Sequence, residues 1–153
     1  MRATVLACGL SAAAALIAAG RGAAAPQATQ FQMPAAATID PGSVDFGEQV
    51  VGRWSRAQRV VVTNTGGAPL HVHSAHLEGD APGQYSIAGD TCTGAEVVPY
   101  RACVIDIAFL PAGKDDFDAE LKLLSDAPES PQAIRVTGEG INSAMVPPGG
   151  AGR

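Results

Sequence analysis

The 153-residue chain is poor in aromatic residues, cysteine and positive charge. Aromatic side chains make up 5% of it, so a core must consist mainly of Val, Ile, Leu and Ala. Ten Lys and Arg stand against fifteen Asp and Glu. This balance argues against binding to nucleic acid, whose affinity depends on neutralising phosphates, and against an anionic membrane surface. A hydrophobic content of 46% excludes general disorder.

Catalytic motifs are also lacking. The sequence contains no G-x-S-x-G, no H-E-x-x-H and no phosphate-binding loop. Asp106 and Glu120 lie in alternating segments, where exposure to solvent is the default. We therefore predict that the protein is not an enzyme, because an enzyme would require a cleft that the sequence does not indicate.

Long apolar runs are confined to the N-terminus. Met1-Arg2 is followed by the uncharged residues 3–20 and by a small-residue site around Ala24. This arrangement predicts a signal peptide over residues 1–24 and a secreted or periplasmic product that has no membrane association after cleavage. A retained membrane anchor is the alternative. Without Arg2 and Arg21 the remaining chain has 8 basic and 15 acidic residues, a net charge of −7.

Cysteine usage fits export. Removal of the signal peptide takes Cys8 with it and leaves Cys92 and Cys103. Two cysteines in an exported chain predict a disulfide, and neither belongs to a C-x-x-C pair, as a redox or metal site would suggest. A disulfide that closes a loop of about 12 residues stabilises a protein by roughly 3 kcal/mol on the chain-entropy model.

The middle of the chain has apolar residues at period two, which predicts strands. Gly-rich and Pro-rich turns separate these segments, and the pattern predicts an all-β sandwich of about seven strands. Residues 25–35 and 141–153 are predicted to be a flexible spacer and tail, with the domain at 36–140. The residues predicted to face inward are Val60, Val62, Val72, Ile105, Ile107, Phe109, Leu121, Leu123, Ile134 and Val136. Those predicted to face outward are Val61, Val104, Asp106, Glu120 and Arg135.

Several segments together resemble a known family. They are V-D-F-G at 44–47, N-T-G-G-A-P-L at 64–70, Cys92 and Cys103, and G-E-G at 138–140. Their order is similar to the Ig-like modules of the ASH type (named for abnormal spindle protein, SPD-2 and hydin), especially the bacterial choice-of-anchor D relatives. The resemblance implies a seven-stranded Ig-like β-sandwich related to the PapD and major sperm protein domains. It also implies a non-catalytic interaction or spacer module.

Three histidines, His71, His73 and His76, lie within six residues. On a strand, H-x-H places two imidazoles on one face about 7 Å apart, a spacing that can serve Zn or Cu. The resemblance implies that Val72, Ala75 and Leu77 point inward, which would leave all three histidines outside. A solvated strand face is the alternative to a metal site.

Four acidic residues, Asp115, Asp116, Asp118 and Glu120, form a second cluster. Calcium requires several oxygen ligands that converge from a loop, and the EF-hand spacing with its central Gly is absent. The sequence therefore favours a solvated turn that enters a strand.

Trp54 is the only tryptophan, and Arg53 and Arg56 flank it in a turn. Trp and Arg together are typical of interaction hot spots. The alternative is a ring that packs over the sandwich edge against Arg stems. An open edge strand is a rival contact site, because its free backbone groups can accept a partner strand.

These observations predict an exported, non-catalytic Ig-like module with a structural or protein-binding role and no cofactor. The alternative is an exported protein that binds Zn or Cu through the histidine cluster.

Overall fold

The computed structural model describes residues 32–143. This part contains nine strands and one short 3-10 helix (Pro82–Gln84). The strands are β1 (Ala37–Asp40), β2 (Ser43–Val50), β3 (Gln58–Asn64), β4 (Leu70–Glu78), β5 (Tyr85–Asp90), β6 (Glu96–Val97), β7 (Ala102–Phe109), β8 (Asp116–Ser125) and β9 (Gln132–Ile141).

The strands form two sheets that pack face to face. One sheet has the order β1-β3-β7-β5, and the other has the order β2-β9-β8-β4-β6. The chain passes from the first sheet to the second at Pro41-Gly42, between β1 and β2. β2 runs parallel to β9, and every other pairing is antiparallel. The predicted all-β Ig-like sandwich is therefore confirmed.

The strand count differs from the prediction of about seven. β5 and β6 were not predicted, because β5 contains Gly89 and a register shift, and β6 has only two residues. β9 has ten residues and ends at Ile141, one residue beyond the predicted end of the domain. The intrinsic β-propensity of the residues is weak evidence for a strand in such segments, because pairing with a neighbouring strand decides the conformation.

The core lies between the sheets, and its strand residues alternate as the period-two pattern predicts. All ten side chains predicted to face inward are buried. Glu120 and Arg135 are exposed, while Val61, Val104 and Asp106 are half-buried on the outer faces. The predicted register is therefore confirmed, since a slip of one residue would exchange the two faces.

Phe109 is fully buried at the centre of an aromatic cluster. Its ring stacks on Tyr85 at 4.8 Å, with Phe46 at 5.7 Å and Phe117 at 5.9 Å. A Cβ at Gly138 would lie 2.6 Å from the Phe109 ring, so β9 needs glycine at this position. The first glycine of the G-E-G segment therefore gives clearance to the largest fully buried side chain.

Asn64 is a fully buried polar residue at the end of β3. Its Nδ2 donates to the carbonyls of Ala68 and Val97, both at 2.8 Å. Its Oδ1 accepts from the Gly66 N–H at 2.9 Å. The amide thereby compensates its own burial and satisfies three backbone groups. This role explains the N-T-G start of the 64–70 segment.

Residues just outside the range 36–140 also pack against the sandwich. Ala35 is buried, and the Pro34 carbonyl accepts from the Gly67 N–H at 3.2 Å. Ile141, the last residue of β9, is also buried. The predicted signal peptide, most of the spacer and residues 144–153 of the tail lie outside the described residues.

Cys92 and Cys103 form a disulfide, as the sequence predicts. Both residues are buried, and Cys103 belongs to β7. The bond ties the segment after β5 to the start of β7. It closes a ring that contains β6 and the turn at 98–101.

Replacing Ile107 by Ala should destabilise the fold by roughly 2–5 kcal/mol, because the truncation leaves a cavity at a fully buried position. Denaturant unfolding measures the loss. Val104→Ala on the outer face of the same strand is the control, with an expected loss of about 1 kcal/mol or less. Equal losses in both variants would contradict the observed register.

Replacing both Cys92 and Cys103 by Ala should lower the free energy of unfolding by about 3 kcal/mol while the β-sheet circular dichroism persists. The bond constrains the unfolded chain, whereas the core comes mainly from other residues. Mass spectrometry after alkylation without reduction should find Cys92 and Cys103 of the native chain unalkylated, because both are in the disulfide. Two free thiols in native material would refute the disulfide.

Candidate interaction surface

The three histidines lie on the outer face of β4, as expected. His71, His73 and His76 are exposed, whereas Val72 is buried. A register shift between Val72 and Ser74 resets the alternation of the strand. This irregularity explains why side chains two and then three residues apart all point to solvent.

Each of two histidines has its own carboxylate neighbour. His71 Nε2 lies 3.9 Å from Glu96, and His76 Nε2 lies 2.7 Å from Glu78. Glu78 also accepts from Lys122 Nζ on β8 at 2.5 Å. Lys122 and then His76 hold the pKa of the Glu78 carboxyl below its usual range. These contacts join side chains of three neighbouring strands, β4, β6 and β8.

The acidic cluster is likewise divided among separate contacts. Asp118 accepts from the Arg135 guanidinium at 2.6 Å. Glu120 is aligned with Arg135 across the β8–β9 pair. Asp115 instead uses its backbone carbonyl to accept from Gly140 and its side chain to cap Asp116. The four acidic side chains therefore do not converge on one point.

Within residues 32–143, no three His, Cys, Asp or Glu side chains form a group that could hold a metal ion. The outer face of the five-stranded sheet carries open depressions of about 400 Å³, one of them lined by Asp45, Glu48, Asp116, Asp118 and Arg135 among others. Charged side chains and glycines make up most of this lining.

The turn that carries Trp54 is fixed through its backbone. The N–H of Ser55 donates to the Phe109 carbonyl at 2.8 Å, and its hydroxyl accepts from the Phe109 N–H at 2.9 Å. Gly52 N–H donates to the Pro111 carbonyl, and Gln49 Nε2 donates to the Arg53 carbonyl. These bonds hold the turn against the end of β7.

Trp54 is 57% exposed. In the part of the chain that the structure describes, neither Arg53 nor Arg56 has a carboxylate within salt-bridge distance. The turn therefore presents an indole beside two guanidinium groups that have free hydrogen-bond donors.

Loops at the two ends of the sandwich have different contents. We call the end formed by residues 51–57 and 110–115 the Trp54 end, and the opposite end, formed by residues 32–36, 65–69 and 98–101, the Tyr100 end. Tyr100 is 74% exposed and has a φ of 63°, which is rare for an aromatic residue. Sequence reasoning missed it. A Pro-Tyr pair just before a disulfide cysteine is the signal that was available.

The edge strands are the rival contact site. β1 and β5 are the edges of the four-stranded sheet, and β2 and β6 are those of the five-stranded sheet. β1 has four residues and β6 has two. Gln58 Nε2 donates to the Asp45 carbonyl of β2 at 2.6 Å. Short length and such side-chain contacts reduce the backbone surface that these strands offer to a partner.

No protein-family model and no curated protein matches the chain. Solved structures do share its fold. A protein of unknown function from Porphyromonas gingivalis W83 has a TM-score of 0.57 at 20% identity, and the match covers 69% of this chain and 46% of that one. The ASH/PapD-like domain 7 of human CEP192 has a TM-score of 0.52 at 15% identity, with 70% and 86% covered. The secreted serine protease VesC from Vibrio cholerae has a TM-score of 0.51 at 13% identity, with 72% and 23% covered.

These likenesses establish the fold. The chain shares the all-β Ig-like sandwich fold of these structures, the fold that the sequence predicts. It spans less than half of the Porphyromonas protein. One similar chain is a PapD-like domain and another is a protease, so the fold by itself does not assign a function.

The lowered pKa of Glu78 predicts that acid reduces the stability of the fold by a small amount. Because its folded-state pKa is lowered, it stabilises the fold above its unfolded pKa of about 4.3, and this contribution is lost as the pH falls through the folded pKa. The melting temperature of Glu78→Gln should therefore fall less than that of the native chain between about pH 6 and pH 3. Salt of about 1 M should shrink the difference, since the pair is half-exposed. Parallel curves for the two proteins would contradict this role.

Proposed function

We propose that the chain is an exported, non-catalytic Ig-like module of the choice-of-anchor D kind. It binds a protein partner through the turn of Arg53, Trp54 and Arg56, and it requires no metal or cofactor for this role.

The exposed Trp54 ring carries the proposal. A large apolar side chain in solvent contributes nothing to the core, and here its turn is anchored by hydrogen bonds to Phe109 and Pro111. A pre-ordered aromatic loses little conformational freedom on binding, so more of its contact energy remains as affinity. Trp and Arg are the residues most enriched among those that dominate interface energetics.

The two arginines support a protein partner. A guanidinium can donate to carboxylates in a bidentate manner, which fixes the orientation of the contact. Both groups lie on an otherwise acidic molecule. They therefore form a local cationic feature that steers a partner towards this end.

Export is supported by the disulfide between Cys92 and Cys103, because such bonds persist in oxidising compartments. No helix among residues 32–143 is long and apolar enough to cross a membrane. The predicted signal peptide at 1–24 lies outside the described residues, so export remains part of the proposal.

The test has two stages. The chain from residue 25 onwards, which contains every described strand, captures partners from the exported fraction of its host, and mass spectrometry identifies them. Calorimetry then measures Kd for the native module and for Trp54→Ala. We expect the substitution to weaken binding about 30-fold, which corresponds to a hot-spot loss of about 2 kcal/mol. The emission of Trp54, the only tryptophan, should shift when the partner binds.

Leu124→Ala is the matched control, because Leu124 is also an exposed large apolar residue but lies on the face of β8. The Kd and the melting temperature of the Leu124→Ala variant should equal those of the native module. A Trp54→Ala protein that melts earlier yet binds with unchanged affinity would make Trp54 a packing residue and overturn the proposal.

A further inference from the structure

The chain leaves β9 directly beside the turn at 51–57, which we call the Trp54 turn. Ile141, the last residue of β9, is the register partner of Val50, and the Val51 N–H donates to the Ile141 carbonyl at 3.0 Å. The Arg53 N–H donates to the Val50 carbonyl at 3.0 Å, so the turn is tight. Together these contacts keep the Cα atoms of Ile141 and Trp54 within about 16 Å of each other.

The sequence that follows the last described residue is uncharged and partly apolar. Residues 144–152 contain no charged side chain, and the bulkiest stretch among them is Met145-Val146-Pro147-Pro148, the 145–148 segment. Asn142 and Ser143, which precede it, are exposed and follow the end of β9. The apolar stretch is therefore not the continuation of a core strand, and it requires another explanation.

The chain is long enough for this segment to reach the Trp54 turn. Pro147 is six residues beyond Ile141, and six residues of extended, proline-type backbone span up to about 19 Å. A Pro-Pro pair favours this extended backbone, because each ring fixes φ and removes the N–H that a helix would use. The segment can therefore lie against the turn while every strand of the sandwich stays in place.

The chemistry of the turn matches such a segment. Trp54 is 57% exposed, and the contacts of Ser55 with Phe109 hold its backbone. Proline rings and aliphatic side chains pack on aromatic faces, and the carbonyls of an extended proline-rich backbone have no internal hydrogen bonds. Among residues 32–143 neither Arg53 nor Arg56 has a carboxylate within salt-bridge distance, so both can donate to those carbonyls.

We propose that the 145–148 segment binds the Trp54 turn of its own chain and competes there with the protein partner. The proline rings and the Met145 side chain cover the Trp54 indole, and the two arginines bind backbone carbonyls of the segment. The competition rests on the proposed function, whereas the contact within the chain does not.

The size of the effect follows from the short tether. A segment joined to its site by a few residues has an effective concentration of a few mM. If the free segment binds with a Kd of about 1 mM, an effective concentration of about 4 mM closes the contact in about 80% of molecules. A partner that needs the open turn then finds about one molecule in five competent, so its apparent affinity is about 5-fold lower.

The fluorescence of Trp54, the only tryptophan, tests the contact in the absence of any partner. The chain from residue 25 onwards is compared with the same chain carrying Met145→Gly, Pro147→Gly and Pro148→Gly. In this triple variant the emission should move to longer wavelengths, and quenching by acrylamide should become about 2-fold faster, because the open form is then the main one. The melting temperature should stay the same, since the segment lies outside the core.

A control in the same tail is Gly149→Ala with Gly150→Ala, which leaves the 145–148 segment intact and should leave the emission and quenching of the native chain unchanged. The difference between the native chain and the triple variant should be equal at about 1 µM and about 100 µM, because both lie far below the effective concentration of a tethered segment. A difference that appears only at the higher concentration would mean that the segment binds a second copy, and it would overturn the proposal. Equal quenching of the native chain and the triple variant would overturn it too.

The competition is measured separately with the partner captured through the native module. The triple variant should bind that partner about 5-fold more tightly than the native chain does. An unchanged Kd in a variant whose Trp54 is quenched faster would overturn the competition. If no partner binds the Trp54 turn, the proposed function fails, and the quenching result still decides whether the segment covers the indole.

Discussion

The buried side-chain amide of Asn64 is the constraint on which one end of the molecule depends. Its two donated hydrogen bonds and one accepted bond satisfy three backbone groups in two segments, the loop at 65–69 and β6. Those backbone groups would otherwise be buried without partners, at about 1–3 kcal/mol each. An apolar residue at position 64 would therefore disturb both loops at once. The main chain of the same residue also holds the Tyr100 turn, because the Asn64 carbonyl accepts from Tyr100 N–H and the Asn64 N–H donates to the Arg101 carbonyl.

The period-two pattern was sufficient to predict the fold and the faces of the main strands. It works because each sheet has one dry side, so the hydrophobic effect enforces alternation along every strand that faces the core. The pattern failed for strands that form because they pair with a neighbouring strand and not because one of their faces is buried. β6 has two residues that pair with Leu70 and His71, and β5 is interrupted at Gly89. Those strands exist because β4 and β7 offer free edges, which a local pattern does not contain.

The candidate surface was predictable only in part. Composition pointed to Trp54, because a lone Trp between arginines is unusual in a chain with 5% aromatics. Its exposure depended on the contacts of Ser55 with Phe109, 54 residues away in sequence. The local sequence marks Tyr100 only by the preceding Pro99, whereas its turn also makes hydrogen bonds to Asn64, which is distant in sequence. The outward placement of the histidines was predictable, but their pairing with Glu78, Glu96 and Lys122 required the register of three strands.

The distribution of cations connects fold and function. On the sheet faces, Arg59 is paired with Asp106, Arg135 with Asp118, and Lys122 with Glu78. Among the described residues, the cations without a carboxylate in salt-bridge distance are Arg53, Arg56, Arg101 and Lys114. All four lie in loops at the two ends. Paired charges keep a face hydrated and therefore unavailable to a binding partner. Unpaired charges lose less free energy when a partner binds. Because the exposed Trp54 and Tyr100 rings lie at these same two ends, we expect the molecule to make its contacts through its poles and to keep its sheets in solvent.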